Sequence, residues 1–278
     1  MFDLPVRETI IFGFAAAAYL AAAVVGIVQL FGRGRKCGRY LVPLVALGAV
    51  LDAVMLIFRA VAIKAIPLTG AYESLVVLTI VFALIYLLLS MAINRVWFGS
   101  VMAWLICCLM VLAASIAEPA SAAREAASTP WAIAHAIAMI LGSASLMVAT
   151  ASAVLYLLGR RKLKQKKVAA VLGKLPNIEK LKQLNLWGLK LCFVLMTFGL
   201  ASGVGLSASI GRTARDLATD SKIVLITAVW LLLGLLLALS RTGRLKEKTI
   251  AYATIVASAL ILFAVVGTLV FCGTWHVF

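Results

Sequence analysis

The chain has 278 residues, of which 64% are hydrophobic and 13% charged, and its formal net charge is +16. A water-soluble domain is about half apolar and about a quarter charged, so this composition excludes a soluble enzyme or binding module and predicts an all-α, polytopic membrane protein. The basic excess sits in alternate loops, which marks membrane topology and argues against a nucleic-acid partner.

A helix needs about 20 apolar residues to cross the bilayer. Eight runs qualify: roughly 9–31, 41–63, 72–93, 96–117, 131–158, 186–207, 222–240 and 249–271. The first follows "MFDLPVRE", with two acids and one arginine. A signal peptide has a basic start and an apolar core of about 7–15 residues, so this run is expected to be a retained helix. Backbone polar groups in hydrocarbon must be bonded internally. The expected architecture is therefore one integral membrane bundle over residues 1–278. Gly13, Ala17 and Ala21 share a face of helix 1. Ala134, Ala138 and Gly142 do so on helix 5, and Gly199 and Gly203 form G-x-x-x-G on helix 6. Small residues at this spacing let helices approach closely, and all three stripes read as assembly surfaces.

Helix 2 carries Asp52 and Arg59 in "LDAVMLIFRA". Seven residues separate them, about 10 Å of rise, too far for an ion pair without a third group. Intramembrane charges are costly and functional by default. Asp52 reads either as a functional polar site or as a hydrogen-bond partner in the bundle. Arg59, nearer the outer end, has the reach to snorkel outward. Glu73 opens helix 3, where an acid suits the helix dipole.

The loops set the orientation. Loops one, three, five and seven hold Arg33, Arg35, Lys36 and Arg39; Arg95; nine Lys or Arg from Arg160 to Lys182; and Arg241, Arg244, Lys246 and Lys248. The opposite side has only Arg7, Lys64, Arg124, Arg212 and Arg215, with Lys222 near a helix end. This asymmetry predicts that both termini are outside, on the periplasmic face of a bacterial inner membrane. The basic segment from Arg160 to Lys182 is suited to anionic lipid or a cytoplasmic partner. The five cysteines form no C-x-x-C, so there is no thiol-redox or zinc signature.

Only two histidines occur, His135 and His276. The predicted topology brings both to the outer face at similar depth. Neutral imidazole is a common haem-iron ligand, and two can close a six-coordinate haem site. The alternative is a pair of ordinary interfacial histidines. Zinc or copper normally needs more than two ligands. Met139, one turn deeper than His135, reads as packing. Arg212 and Arg215 in the sixth loop are suited to haem propionates, or are ordinary loop charges.

Several segments resemble one family. "PLTGAYESLVVLTIVFALIYLLL" (Pro67–Leu89) resembles the P-x-x-x-x-Y-E-S-L segment of CcsA/CcmC-type cytochrome c assembly proteins. "HAIAMILGSASLMVATASAVLYLL" (His135–Leu158) is similar to their histidine-headed helix, "DSKIVLITAVWLLLG" (Asp220–Gly234) to their D-P-K-x-x-x-S-x-x-x-W helix, and "WHVF" places a terminal histidine in their order. The resemblance runs from residue 67 to 278. It implies a b-type, non-covalent haem at the outer face between His135 and His276, next to the loop "ASIGRTARDLATDS". That loop departs from the family's W-G-x-x-W-x-W-D: no tryptophan lies between Trp187 and Trp230, and only Gly211 with Asp216 or Asp220 matches. The chain thus resembles the short HemX/YpjD-like branch with a degenerate loop. The expectation is a non-enzymatic haem-handling protein of cytochrome c biogenesis, with membrane lipid and other biogenesis membrane proteins as partners. A scaffold or regulator without haem, and a small-molecule transporter with a path lined by Asp52 and Arg59, are the alternatives.

Overall fold

A computed structural model describes residues 5–30, 37–64, 66, 71–93, 96–116, 129–166 and 176–271. Among these the chain is all-helical: α1 (Val6–Leu30), a 3-10 turn (Cys37–Tyr40), α2 (Leu41–Ile63), α3 (Ala71–Ala92), α4 (Val96–Ile116), α5 (Pro130–Lys164), α6 (Ile178–Ser209), α7 (Ala214–Thr219), α8 (Ser221–Arg241) and α9 (Glu247–Phe271). Every one of these except α7 and the 3-10 turn, eight in all, is long and apolar enough to cross a membrane. The protein is a multi-pass membrane protein.

Two helices outrun the apolar runs that predict them. α5 has 35 residues and continues through "GRRKLK", while α6 has 32 and starts at Ile178, not 186. Lys, Arg, Glu and Gln are good helix formers, so these helices continue past the hydrocarbon until a cap or loop ends them. α5 ends with Arg161, Lys162 and Lys164 in its last turn, the favourable end for cations. α6 begins beside Asn177, whose Oδ1 accepts from the Glu179 amide at 3.0 Å.

The chain divides into two compact units. The first comprises residues 1–123 and 155–181. In it α1 packs on α2 and α4, and α3 packs on the same two helices. Its buried side chains include Tyr19, Met55, Tyr72, Phe82, Phe98 and Met102. α1 and α4 meet closely at Gly26, whose carbonyl accepts from Ser100 Oγ at 2.9 Å. The expected contact stripe on α1 is corrected here. Gly13 and Ala17 are exposed, and the packed face is Ala15, Ala18, Tyr19, Ala22 and Ala23. "AAAAYLAAA" makes almost every face of this helix small, so spacing alone does not select the packed one.

The second unit comprises residues 124–154 and 182–278. Its core gathers Leu146, Ala149, Leu189, Cys192, Met196, Val229, Leu233 and Ala257. α5 crosses α6 at Gly188, where a Cβ would fall 2.9 Å from that of Ala149. Trp230 on α8 stacks on Phe193 of α6 at 5.5 Å and donates from Nε1 to Thr197 Oγ1 at 2.9 Å. Thr254 on α9 donates to Asn185 of α6 at 3.0 Å. In both units lone hydroxyls such as Thr79, Ser145 and Ser152 bond the carbonyl four residues back, which satisfies them inside an apolar span. Large apolar side chains, Phe14, Ile57, Leu88, Phe198 and Leu231 among them, face outward, as hydrocarbon solvent requires.

Candidate functional site

His135 is placed by the start of α5 and by two glycines of α6. Thr129 Oγ1 accepts from the Ala132 amide at 3.2 Å and Pro130 occupies the first helical position. His135 follows a turn and a half later, partly buried. Its Nδ1 lies 2.7 Å from the Gly199 carbonyl. A carbonyl only accepts, so Nδ1 carries the proton and Nε2 keeps its lone pair. The Ser202 hydroxyl, which donates to the Phe198 carbonyl at 2.7 Å, also lies 3.0 Å from the Gly199 carbonyl.

The glycines make room for this arrangement. A Cβ on Gly203 would come 3.0 Å from His135 Nδ1 and 3.1 Å from its Cε1, and one on Gly205 would come 2.8 Å from the Trp131 ring. The Gly199/Gly203 pair, read from sequence as an assembly stripe, is the seat of the imidazole. Met139 packs as expected, with Sδ 2.6 Å from where a Gly199 Cβ would be.

Two further features share this end of the unit. Lys222, in the first turn of α8, lies within electrostatic range of His135. The loop after α6 turns at Gly211, with φ +72°, and enters α7 through a reciprocal cap between Thr213 and Asp216. The Thr213 amide donates to Asp216 Oδ2 at 2.9 Å and its hydroxyl at 2.7 Å. The amide bond first, then the hydroxyl, holds the Asp216 carboxyl below the usual carboxylate range. Asp220 caps α8 by accepting from the amides of Lys222 and Ile223 at 2.9 and 3.3 Å. Both acids that match the family's loop are therefore helix caps. Arg212 is half-buried and Arg215 exposed in this loop. His276 lies outside the described residues.

The first unit holds a second polar group. Arg59 Nε donates to Glu73 Oε1 at 2.9 Å, and Nη1 meets Glu8 Oε2 at 3.4 Å. All three side chains are buried. Arg59 does not snorkel: it has two carboxylate partners inside the bundle, which offset the cost of desolvating it. Asp52 is fully buried and accepts from Tyr19 Oη at 3.1 Å. Gly48, one turn before it, admits the ring, since a Cβ there would fall 2.5 Å from Tyr19 Cε1.

The sequence reading missed Glu8, Tyr19, Tyr72 and Lys222 as members of these groups. One signal was available for Lys222. A lysine in the first turn opposes the helix dipole, so its position calls for another reason. Glu8 pairs with a residue 51 positions away, for which no local pattern exists.

A family model described as "Cytochrome C assembly protein" matches residues 68–276, well over half of the chain. The match includes His135, Glu73 and the segment carrying His276. No curated protein matches the chain.

Proposed function

The chain belongs to the cytochrome c assembly protein family, and from that membership and its role in cytochrome c biogenesis we propose that it binds haem at the periplasmic face of a bacterial inner membrane. His135 and His276 would hold the haem iron through their imidazole nitrogens. The observation that carries this reading is the 2.7 Å contact from His135 Nδ1 to the Gly199 carbonyl. Imidazoles that ligate metals commonly donate their second nitrogen to a carbonyl or carboxylate, and this one is held with Nε2 open. Haem is the cargo, and the chemistry of its later attachment belongs to partner proteins of the same pathway.

The chain's own residues bind and orient. Trp131 and Met139 supply apolar surface beside the imidazole. Lys222 and Arg212 supply positive charge suited to propionates, with Arg215 as a more exposed third cation. The capped loop of α7 takes the place of a tryptophan platform, so affinity is expected to be lower than for relatives with the full aromatic loop. On this reading the chain is one of the short HemX/YpjD-like members with a degenerate loop, and it presents haem without acting as an enzyme.

One observation favours a second reading. Residues 210–220 contain no aromatic side chain, and a scaffold or regulator of the same fold needs none. Titrating haem into the purified protein in detergent separates the two. A Soret band that saturates near one equivalent supports haem binding, and a spectrum matching free haem in detergent supports the scaffold.

A further inference from the structure

Among the described residues of the first unit, buried carboxylates outnumber buried cations. Three carboxylates, Glu8, Asp52 and Glu73, accompany one guanidinium, Arg59. Arg59 is paired with Glu73 and Glu8. Asp52 has the Tyr19 hydroxyl on Oδ2 alone. Asp52 Oδ1 and Tyr72 Oη are enclosed and have no hydrogen-bond partner among the described residues. Both residues are 0% exposed. The Tyr72 ring rests on Phe12 at 5.5 Å, and its hydroxyl lies within electrostatic range of Asp52, Glu73, Arg59 and Glu8.

Buried polar atoms nearly always have partners. Two orphaned oxygens in one acid-rich cluster point to a small, hydrogen-bonding, positively charged ligand. Among the described residues no three acid, thiol or imidazole side chains converge as a metal ion would require. A proton needs only one carboxylate oxygen and a hydroxyl that can turn between donor and acceptor.

We propose that Asp52 is a proton-exchange site reached from the end of the unit at which α1 begins. Glu8 is the third residue of α1, Glu73 the third of α3, and Arg59 lies four residues before the end of α2. These three form the mouth. Asp52 is about two helical turns deeper, with Tyr72 in range of both levels. On uptake, hydronium gives its proton to Asp52 Oδ1 and leaves as water, and release is the reverse, with no electrons moved. Tyr19 from α1 bonds Asp52 and Tyr72 from α3 lies within electrostatic range of it, while Glu8 from α1, Glu73 from α3 and Arg59 from α2 itself lie within range of Tyr72. α4 carries no charged side chain, only the thiols of Cys107 and Cys108, and the 3-10 turn with Arg39 and Tyr40 adjoins the opposite end of α2. Tyr19 bonds Asp52 while its ring fills the gap at Gly48, so the α1–α2 contact senses the proton directly.

Infrared difference spectra of the full chain in lipid, recorded as pH is lowered, test this. The expected result is a protonated-carboxyl band that grows on acidification and is absent in Asp52→Asn. Tyr72→Phe keeps the ring packing and removes a hydroxyl within electrostatic range of Asp52, so it should displace the midpoint by about threefold or more in proton concentration. A band that survives in Asp52→Asn, or one that never changes with pH, overturns the proposal. So does a band that responds to replacing sodium with choline at fixed pH, which would identify a metal cation as the ligand. Should Asp52→Asn fail to fold, Tyr72→Phe decides alone, and an unmoved midpoint overturns the proposal.

Discussion

The His135 imidazole donates from Nδ1 to the Gly199 carbonyl at 2.7 Å, and this one bond decides which nitrogen of the ring stays open. The ring belongs to α5, but α6 prepares it. Gly199 supplies the acceptor and Gly203 the space. A helix carbonyl that already serves its own ladder has a second lone pair to offer, and the absence of a Cβ at Gly203 lets the ring reach it.

The two glycines should therefore behave differently. Gly203→Ala puts a Cβ 3.0 Å from Nδ1 and should rotate the ring off its carbonyl. Haem affinity should fall about tenfold, the lower end of the effect of losing a supporting partner. Gly199→Ala meets Met139 Sδ, the flexible end of a side chain. It should cost some stability and leave haem affinity within about twofold of the parent. Parallel haem titrations of the two variants check this, and equal losses would count against the seat.

Arg59 is the keystone of the first unit. Arg59→Leu leaves Glu8 and Glu73 buried without their cation, and breaking a buried pair in this way costs about 3–5 kcal/mol. Unfolding in denaturant, followed by circular dichroism in detergent, should show that loss. Glu73→Gln should be worse than Glu8→Gln, because its contact with Arg59 is 2.9 Å against 3.4 Å.

What the sequence made legible divides along physical lines. All eight spans could be read, because crossing hydrocarbon demands about 20 apolar residues whatever the packing. The true ends of α5 and α6 could not, since charged helix formers continue a helix without an apolar signal. His135 was visible as one of two imidazoles, but its tautomer was not, because that depends on a backbone carbonyl 64 residues away. Asp52, Arg59 and Glu73 stood out as charges in apolar runs. Their partners Glu8 and Tyr19 did not, since one sits beside the first helix start like any dipole-compatible acid and the other looks like an ordinary membrane tyrosine.

Tyr19 and Gly48 should act as one unit. Tyr19→Phe removes the only hydrogen bond to Asp52 among the described residues and should cost about 1–3 kcal/mol. Gly48→Val collides with the ring and should cost a similar amount through overpacking. Because both act on one contact, the double variant should fall short of their sum. Melting temperatures of the three proteins check this, and simple additivity would contradict it.

Topology follows from the loop charges. A reporter active only in the periplasm should work when fused after Phe278 and fail when inserted at Lys166. The reverse pattern would place His135 on the cytoplasmic side and remove the proposed haem face.

The haem assignment is tested most directly by visible spectra of the full chain purified with haem, as wild type, His135→Ala, His276→Ala and the double variant. The wild type should show the sharp, red-shifted Soret and resolved α and β bands of a low-spin, bis-histidine haem on reduction. Each single variant should lose the low-spin signature and part of its haem, and the double variant should lose nearly all of it, with helicity unchanged in every case. Equal haem content and identical spectra across the four proteins would contradict the account.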